Sequence, residues 1–184
     1  MTPVAVSAPT TPPRHMTAAE FYAWVHRPEN RNRCFELDRG EVVEMPPPGK
    51  YHGFVCGNVA WLLGEFARRR RKGYVCTNDA GVIVEHDPDT VRGPDVTFYE
   101  DDQTMVDMDR QYAARPPLLA IEVLSPEARV NRTVRRITQM LRAGVPVVWL
   151  VDPEGRDVSV YRTGQDPVLV VEAQELSGEP ALPD

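Results

Sequence analysis

Apolar residues first recur at helical spacing where Thr17-Ala-Ala-Glu20, a capping-box pattern, leads into Phe21, Trp24 and Val25. The pattern predicts a short amphipathic helix. CFELDRGEVVEM then alternates as two strands around Asp38-Arg39-Gly40, whose glycine suits the positive φ of a three-residue hairpin loop. PPPGK breaks the chain before a second helix, roughly Tyr51 to Arg71, with Val55, Val59, Leu62, Leu63 and Phe66 on one face and five basic residues at its end. From Gly73 the pattern becomes strand-like: GYVCT, AGVIVEH, PDVTFYE and, after an acidic and polar stretch, LLAIEVL. The last is almost wholly apolar, as expected of a strand covered on both faces. Ser125-Pro126 ends it. A third helix, about Arg129 to Ala143, stops at Gly144, and VPVVWLVD follows as another buried strand. Strand, helix and strand in that order imply a right-handed crossover onto a parallel neighbour. DVSVYR and PVLVVEA form an outer hairpin. The fold class is therefore α/β, a mixed β-sheet flanked by helices.

Composition adds domain boundaries to this pattern. The 184 residues, 42% hydrophobic and 26% charged, suffice for one core, and no repeat suggests a second. Residues 1–15, rich in Pro, Ser, Thr and Ala, read as a disordered N-terminal segment; 16–172 read as the folded domain, and 173–184, ending SGEPALPD, as a loose tail. No apolar run approaches the roughly 20 residues of a membrane helix, and MTPVAVSAPTTPPRH lacks the features of a signal peptide. The expectation is a soluble, cytoplasmic protein with no membrane partner. Cys34, Cys56 and Cys76 are widely spaced and sit in apolar patterns, so they read as buried thiols. The net charge of −6 argues against a general nucleic-acid coat protein but allows a local basic surface.

Two acidic residues stand out against the apolar pattern: Asp95 in RGPDVTFY and Glu122 in LLAIEVLSP. A carboxylate at such a place is costly unless a cation meets it. Carboxylates on neighbouring strands suit Mg²⁺, which takes oxygen ligands and activates water against a phosphodiester. The plainer alternatives are a turn-capping role for Asp95 and, for Glu122, a buried ion pair with an arginine of the next helix. Many metal-dependent nucleases place a lysine just after the glutamate. Here Val123 and Leu124 follow it.

FELDRGEVVEMPPPGKYH, GPDVTFYE, IEVLSP and LRAGVPVVWLVDP, in this order and spacing, resemble the Uma-two family, a branch of the PD-(D/E)XK nuclease superfamily with restriction-endonuclease-like members. The resemblance runs from Met16 to about Tyr161. It implies a restriction-endonuclease-like core and a Mg²⁺ (or Mn²⁺) site in which Asp95 and Glu122 are the motif acids. Glu36 matches an acidic residue on the preceding segment, and His52 a histidine early in the family's long helix. The family's lysine lies in the helix after the glutamate, where an ungapped count reaches Arg136, with Arg135 as the neighbouring possibility. An arginine offers phosphate a rigid fork of donors but cannot act as a base at neutral pH.

The resulting expectation is a Mg²⁺-dependent DNA endonuclease. In it Asp95, Glu122 and the Val123 carbonyl hold the metal, Glu36 and His52 support the site, and Arg136 steadies the transition state. Arg68, Arg69, Arg70, Arg71 and Lys72, with Arg132, are the candidate phosphate contacts, although basic residues at a helix C-terminus also complement its dipole. Arg129, Arg132 and Arg136 recur on one helix face, so one of them should meet the carboxylates. The alternative is a catalytically weakened nuclease fold that binds nucleic acid or serves as a scaffold. Members of the superfamily often dimerise, which makes a homodimer an expectation by analogy. No GxSxG elbow, P-loop, GxGxxG, HExxH or helix-turn-helix signal supports another class.

Overall fold

The computed structural model describes residues 15–101, 103–125, 130–179 and 181–182. The expected N-terminal disorder falls, apart from His15, outside these residues. Thr17 caps helix α1 (Ala18–Val25): its hydroxyl accepts from Glu20 N, and the Glu20 carboxylate accepts from Thr17 N at 2.8 Å. Strands β1 (Cys34–Asp38) and β2 (Glu41–Met45) then form a hairpin. Its loop has two residues rather than three. Asp38 pairs directly with Glu41, and both Arg39 and Gly40 take positive φ (52° and 79°), as a primed turn requires.

Helix α2 (Lys50–Arg70) is followed by β3 (Tyr74–Thr77), β4 (Val82–Glu85), β5 (Thr90–Arg92), β6 (Val96–Tyr99) and β7 (Leu119–Val123). Helix α3 (Val130–Arg142) and strands β8 (Val147–Asp152), β9 (Asp157–Arg162) and β10 (Val168–Val171) complete the chain. The strands divide into a small antiparallel sheet, β2-β1-β5-β4, and a six-stranded mixed sheet, β10-β9-β8-β7-β6-β3. Within the latter β7 and β8 are parallel, joined through α3, and the other neighbours are antiparallel.

Strand alternation decides what each face of the large sheet buries. Leu119, Ile121 and Val123 of β7 face α2 and pack with its Leu63 and Ala67. Ala120 lies on the opposite face with Ile137 and Met140 of α3 and Val82 and Val84 of β4. Glu122 shares the parity of Ala120. It therefore points into the layer between the large sheet, α3 and the small sheet, whose outer side is closed by Phe21 and Trp24 of α1 over Leu37 and Val91.

Three expectations are corrected. Leu62 is 59% exposed, because one helical step of about 100° carries it off the buried face that Leu63 occupies. Cys34 is exposed, since it starts an edge hairpin where the alternation turns it outward, while Cys56 and Cys76 are partly buried. The segment 173–184 is not a loose tail throughout. Ala181 and Leu182 are buried in the α2-side core, and the Arg162 guanidinium donates to the Glu179 carbonyl at 2.8 Å. A Gly/Pro-rich stretch can still dock when two apolar side chains meet an uncovered sheet face.

Candidate active site

The N-terminus of α2, the start of β6, the end of β7 and the inner face of α3 enclose a cleft of about 720 Å³. Glu36, His52, Asp95, Glu122, Val123, Arg132 and Arg136 all line it. Sequence-distant candidates thus share one cavity. Pairing of β6 with β7, Val96 opposite Ile121, brings the Asp95 end of one strand beside the Glu122 end of the other.

Asp95 Oδ2 accepts a hydrogen bond from Val123 N at 2.6 Å, which fixes the carboxylate at the strand end. Its Oδ1 lies 3.4 Å from Nε2 of His52, and the same nitrogen lies 3.1 Å from the Val123 carbonyl oxygen. Two oxygen acceptors therefore converge on one imidazole nitrogen. The Asp95 hydrogen bond raises the His52 pKa, against the opposing effect of burial. Cys56, one turn along α2, places Sγ 3.5 Å from His52 Nδ1, and burial pushes its thiol up to about 12, so it stays protonated.

Glu122 is buried at the centre of the second group. Arg136 Nε lies 3.2 Å from its Oε2, and Nη2 donates to its Oε1 at 2.8 Å, a two-pronged contact. Burial pushes the Glu122 carboxyl up to about 7, and Arg136 works against that shift. The guanidinium also donates through Nη1 to Glu36 and through Nη2 to the Gly93 carbonyl at 3.0 Å. Burial lowers the Arg136 pKa, but Glu122 and Glu36 outweigh it and the net shift is upward. The buried ion pair anticipated as the plainer reading of Glu122 is therefore present.

Glu36 is the second hub. It accepts from Arg136, from Gly93 N at 2.8 Å and from Arg92 Nη1 at 3.1 Å, and it is buried rather than turned outward as an ordinary strand residue. Arg92 in turn donates to Gln139 of α3 at 2.7 and 2.9 Å and pairs with Asp38 at 3.0 Å. Arg135, the alternative to Arg136, is 48% exposed at its side chain and pairs with Asp38 instead. Arg132 is exposed on the cleft wall, and Arg129 lies outside the described residues.

Sequence reasoning missed Arg92, Gln139 and Asp79. Asp79 lines the cleft, where loss of solvation and then the charge of Asp95 raise its carboxyl pKa. Its backbone packs on Gly93: a Cβ there would lie 2.7 Å from the Asp79 carbonyl oxygen, so Gly93 admits a close approach between two site loops. Arg68 to Lys72 are not brought to this cleft. They end α2 at its other pole, about 24 Å from His52 by helix rise, where Arg70 and Lys72 pair with Glu100 at 2.9 and 2.6 Å.

A mixed sheet between helices, with carboxylates gathered at the ends of adjacent central strands, defines a nuclease-like α/β protein. A solved structure of a putative nuclease belonging to DUF820 from Anabaena variabilis superimposes with a TM-score of 0.74 over 91% of this chain and 90% of that one, at 20% identity. At that identity the likeness is one of fold. The profile of the Uma2 family, described as putative restriction endonuclease, matches residues 18–184, and the chain belongs to that family. No curated protein matches it. Among the described residues, no helix is long and apolar enough to cross a membrane.

Proposed function

We propose that the chain is a metal-dependent endonuclease that hydrolyses phosphodiester bonds in DNA, with Mg²⁺ or Mn²⁺ as its ion. Membership of a family described as restriction endonuclease supports the reaction class. The observation that carries the reading is the convergence of Asp95 Oδ1 and the Val123 carbonyl on one point beside Glu122, at present taken by His52 Nε2. Those donors fit a hard divalent cation: all are oxygens, and Asp79 and Asp95 add negative charge that no arginine pair balances among the ion pairs described. A cation held there would supply Lewis acidity toward a phosphate oxygen and lower the pKa of a water.

The chain's own groups divide the remaining work. Asp95 is oriented by Val123 N, so its other oxygen, beside His52, faces the cleft. Arg136 is clamped by Glu36, Glu122 and the Gly93 carbonyl, which fixes a guanidinium at the cleft wall without freeing it to act as a base. Its role is electrostatic, holding Glu122 in place and opposing the charge that develops on phosphate. Arg132 offers an exposed phosphate contact on the same wall.

A specific observation favours the second reading, a weakened nuclease acting as a nucleic-acid-binding module. Arg136 already engages both oxygens of Glu122, so a cation must share that carboxylate with a guanidinium. Calorimetric titration with Mn²⁺ and Mg²⁺, paired with plasmid nicking, separates the two. The nuclease reading expects binding and nicking in the wild type and loss of both in Asp95→Ala and Glu122→Ala. Absence of metal binding in the wild type overturns it, and metal and DNA binding without nicking establishes the second reading.

A further inference from the structure

The outer face of α2 carries an apolar stripe that the described residues leave uncovered. Tyr51 is 58% exposed, Phe54 63%, Trp61 65% and Leu62 59%, and Asn58 between them is exposed as well. Positions 51, 54, 58 and 61 repeat at alternating steps of three and four, the spacing of a helix-pairing seam. Gly53 and Gly57 flank the seam, and a Cβ on either would meet nothing within 4 Å. A neighbouring helix could therefore approach closely. Core positions of α2 lie on the opposite face, while at the edge of the stripe the Tyr51 hydroxyl donates to the Pro153 carbonyl at 3.5 Å.

Area and charge identify what covers the stripe. A fully buried aromatic contributes roughly 150–250 Å², so three that are mostly exposed, with a leucine, present about 400 Å² per chain. That is about half of the roughly 800 Å² that each partner gives to a stable interface, with the glycines, Asn58 and the flanking charged residues available for the rest. Helix α2 opens with exposed Lys50 and carries half-buried Glu65 near its end, positions that an antiparallel pairing sets opposite one another. Its start adjoins Pro46, Pro47 and Pro48, which line the acidic cleft, whereas its end carries exposed Arg68 and Arg69. An antiparallel second α2 matches both features at once.

We propose that a second copy of this chain docks antiparallel on α2 and carries its Arg68 and Arg69 to the mouth of this copy's cleft. A two-fold axis between Gly57 and Asn58 sets Phe54 against Trp61 and Leu62 of the other copy, apolar on apolar, in an isologous contact. The same register sets Arg68 opposite Pro47 and Pro48, at the cleft rim. The basic run, about 24 Å along the helix from His52 in the cleft of its own chain, thereby becomes a phosphate contact for the cleft of its partner. The arginine half of this proposal rests on the nuclease reading, and the dimer half does not.

Sedimentation velocity on the full chain, from about 1 to 100 µM, tests the dimer, since interfaces of standard area can hold as weakly as micromolar. The expected result is a wild-type dimer, Phe54→Lys and Leu62→Glu each monomeric with unchanged circular dichroism, and recovery of a dimer on mixing the two. Recovery follows because the antiparallel register pairs Lys with Glu. A monomer at every concentration overturns the proposal, and so does a dimer that Phe54→Lys leaves intact but Leu169→Asp, on the exposed strand β10, abolishes. Single-stranded DNA stacking on Trp61 of a monomer, seen as quenched tryptophan fluorescence that Trp61→Ala removes, also overturns it.

Mixing Asp95→Ala with an Arg68→Glu/Arg69→Glu double variant tests the arginines. Nicking by the mixture but by neither variant alone is expected, since one heterodimer cleft has its own Asp95 and its partner's arginines. An inactive mixture of intact heterodimers, with an active wild type, overturns the arginine half. An inactive wild type strikes the nuclease reading and leaves sedimentation to decide the dimer.

Discussion

Glu36 holds two buried guanidiniums together, and its removal leaves both without their shared counter-ion. Breaking a buried pair costs about 3–5 kcal/mol, so Glu36→Ala should lower the unfolding free energy by that amount in urea melts. Glu36→Gln retains an acceptor and should cost less. A loss under about 1 kcal/mol for the alanine variant would show that Arg92 and Arg136 are compensated elsewhere. Arg136 tests the competition inside the site. Arg136→Met removes the guanidinium from both oxygens of Glu122, so the variant should be less stable in the absence of metal yet gain more in melting temperature from saturating Mn²⁺ than the wild type. An equal or smaller gain would place the cation away from Glu122. Arg136→Lys keeps the charge but not the fork, because one ammonium cannot reproduce contacts with Glu36, Glu122 and the Gly93 carbonyl together. Its nicking rate should rise only if a nearby amine is the missing base.

Helix α2 serves two elements at its ends: its first turn brings His52 to the Val123 carbonyl, and its last turn is tied to the end of β6 through Glu100. The Lys72 hydrogen bond, with the nearby Arg70 charge, holds the Glu100 carboxyl below its usual value of 4.5. A carboxyl depressed on folding contributes stability above its unfolded pKa and loses it as the pH falls through the folded value. Wild type should therefore exceed Glu100→Gln by about 1 kcal/mol, or roughly 2–4 °C in melting temperature, at pH 7, and the gap should close below pH 4. A gap independent of pH would mean that packing, not charge, sets it. The same elements show what a sequence can disclose. Regular periods revealed α1, α2, α3 and the apolar strands β7 and β8, because burial of one face repeats at 3.6 or two residues. Strand β5 was not legible: Thr-Val-Arg is too short to show a period, and all three residues are buried through partners on other segments. Asp95 and Glu122 were legible as acids set against apolar strands, and Glu36 only through the family resemblance. Arg92, Gln139 and Asp79 were not, since their roles arise from chain segments far apart in sequence.

At the scale of the whole molecule, a protein of net charge −6 must concentrate positive charge locally to hold a polyanion. One chain holds its candidate phosphate contacts in two places, Arg132 at the cleft and Arg68 with Arg69 at the far pole of α2. Two antiparallel copies would merge these sets into a track running across both clefts. Counterion release makes that arrangement measurable, because each phosphate neutralised on duplex DNA contributes about 0.9 to the slope of log affinity against log salt. In an Asp95→Ala background that binds without cutting, Arg68→Ala/Arg69→Ala should reduce the slope per cleft by about 2, and Arg132→Ala by about 1. Anisotropy titrations of a labelled duplex at several salt concentrations give these slopes. Phe54→Lys adds positive charge to each chain, so simple electrostatics predicts tighter binding. The two-copy track predicts the reverse, a shallower slope and weaker binding, because dissociation separates Arg68 and Arg69 from the cleft they serve. A slope that Phe54→Lys leaves unchanged or steepens would assign the basic run to a surface of the single chain.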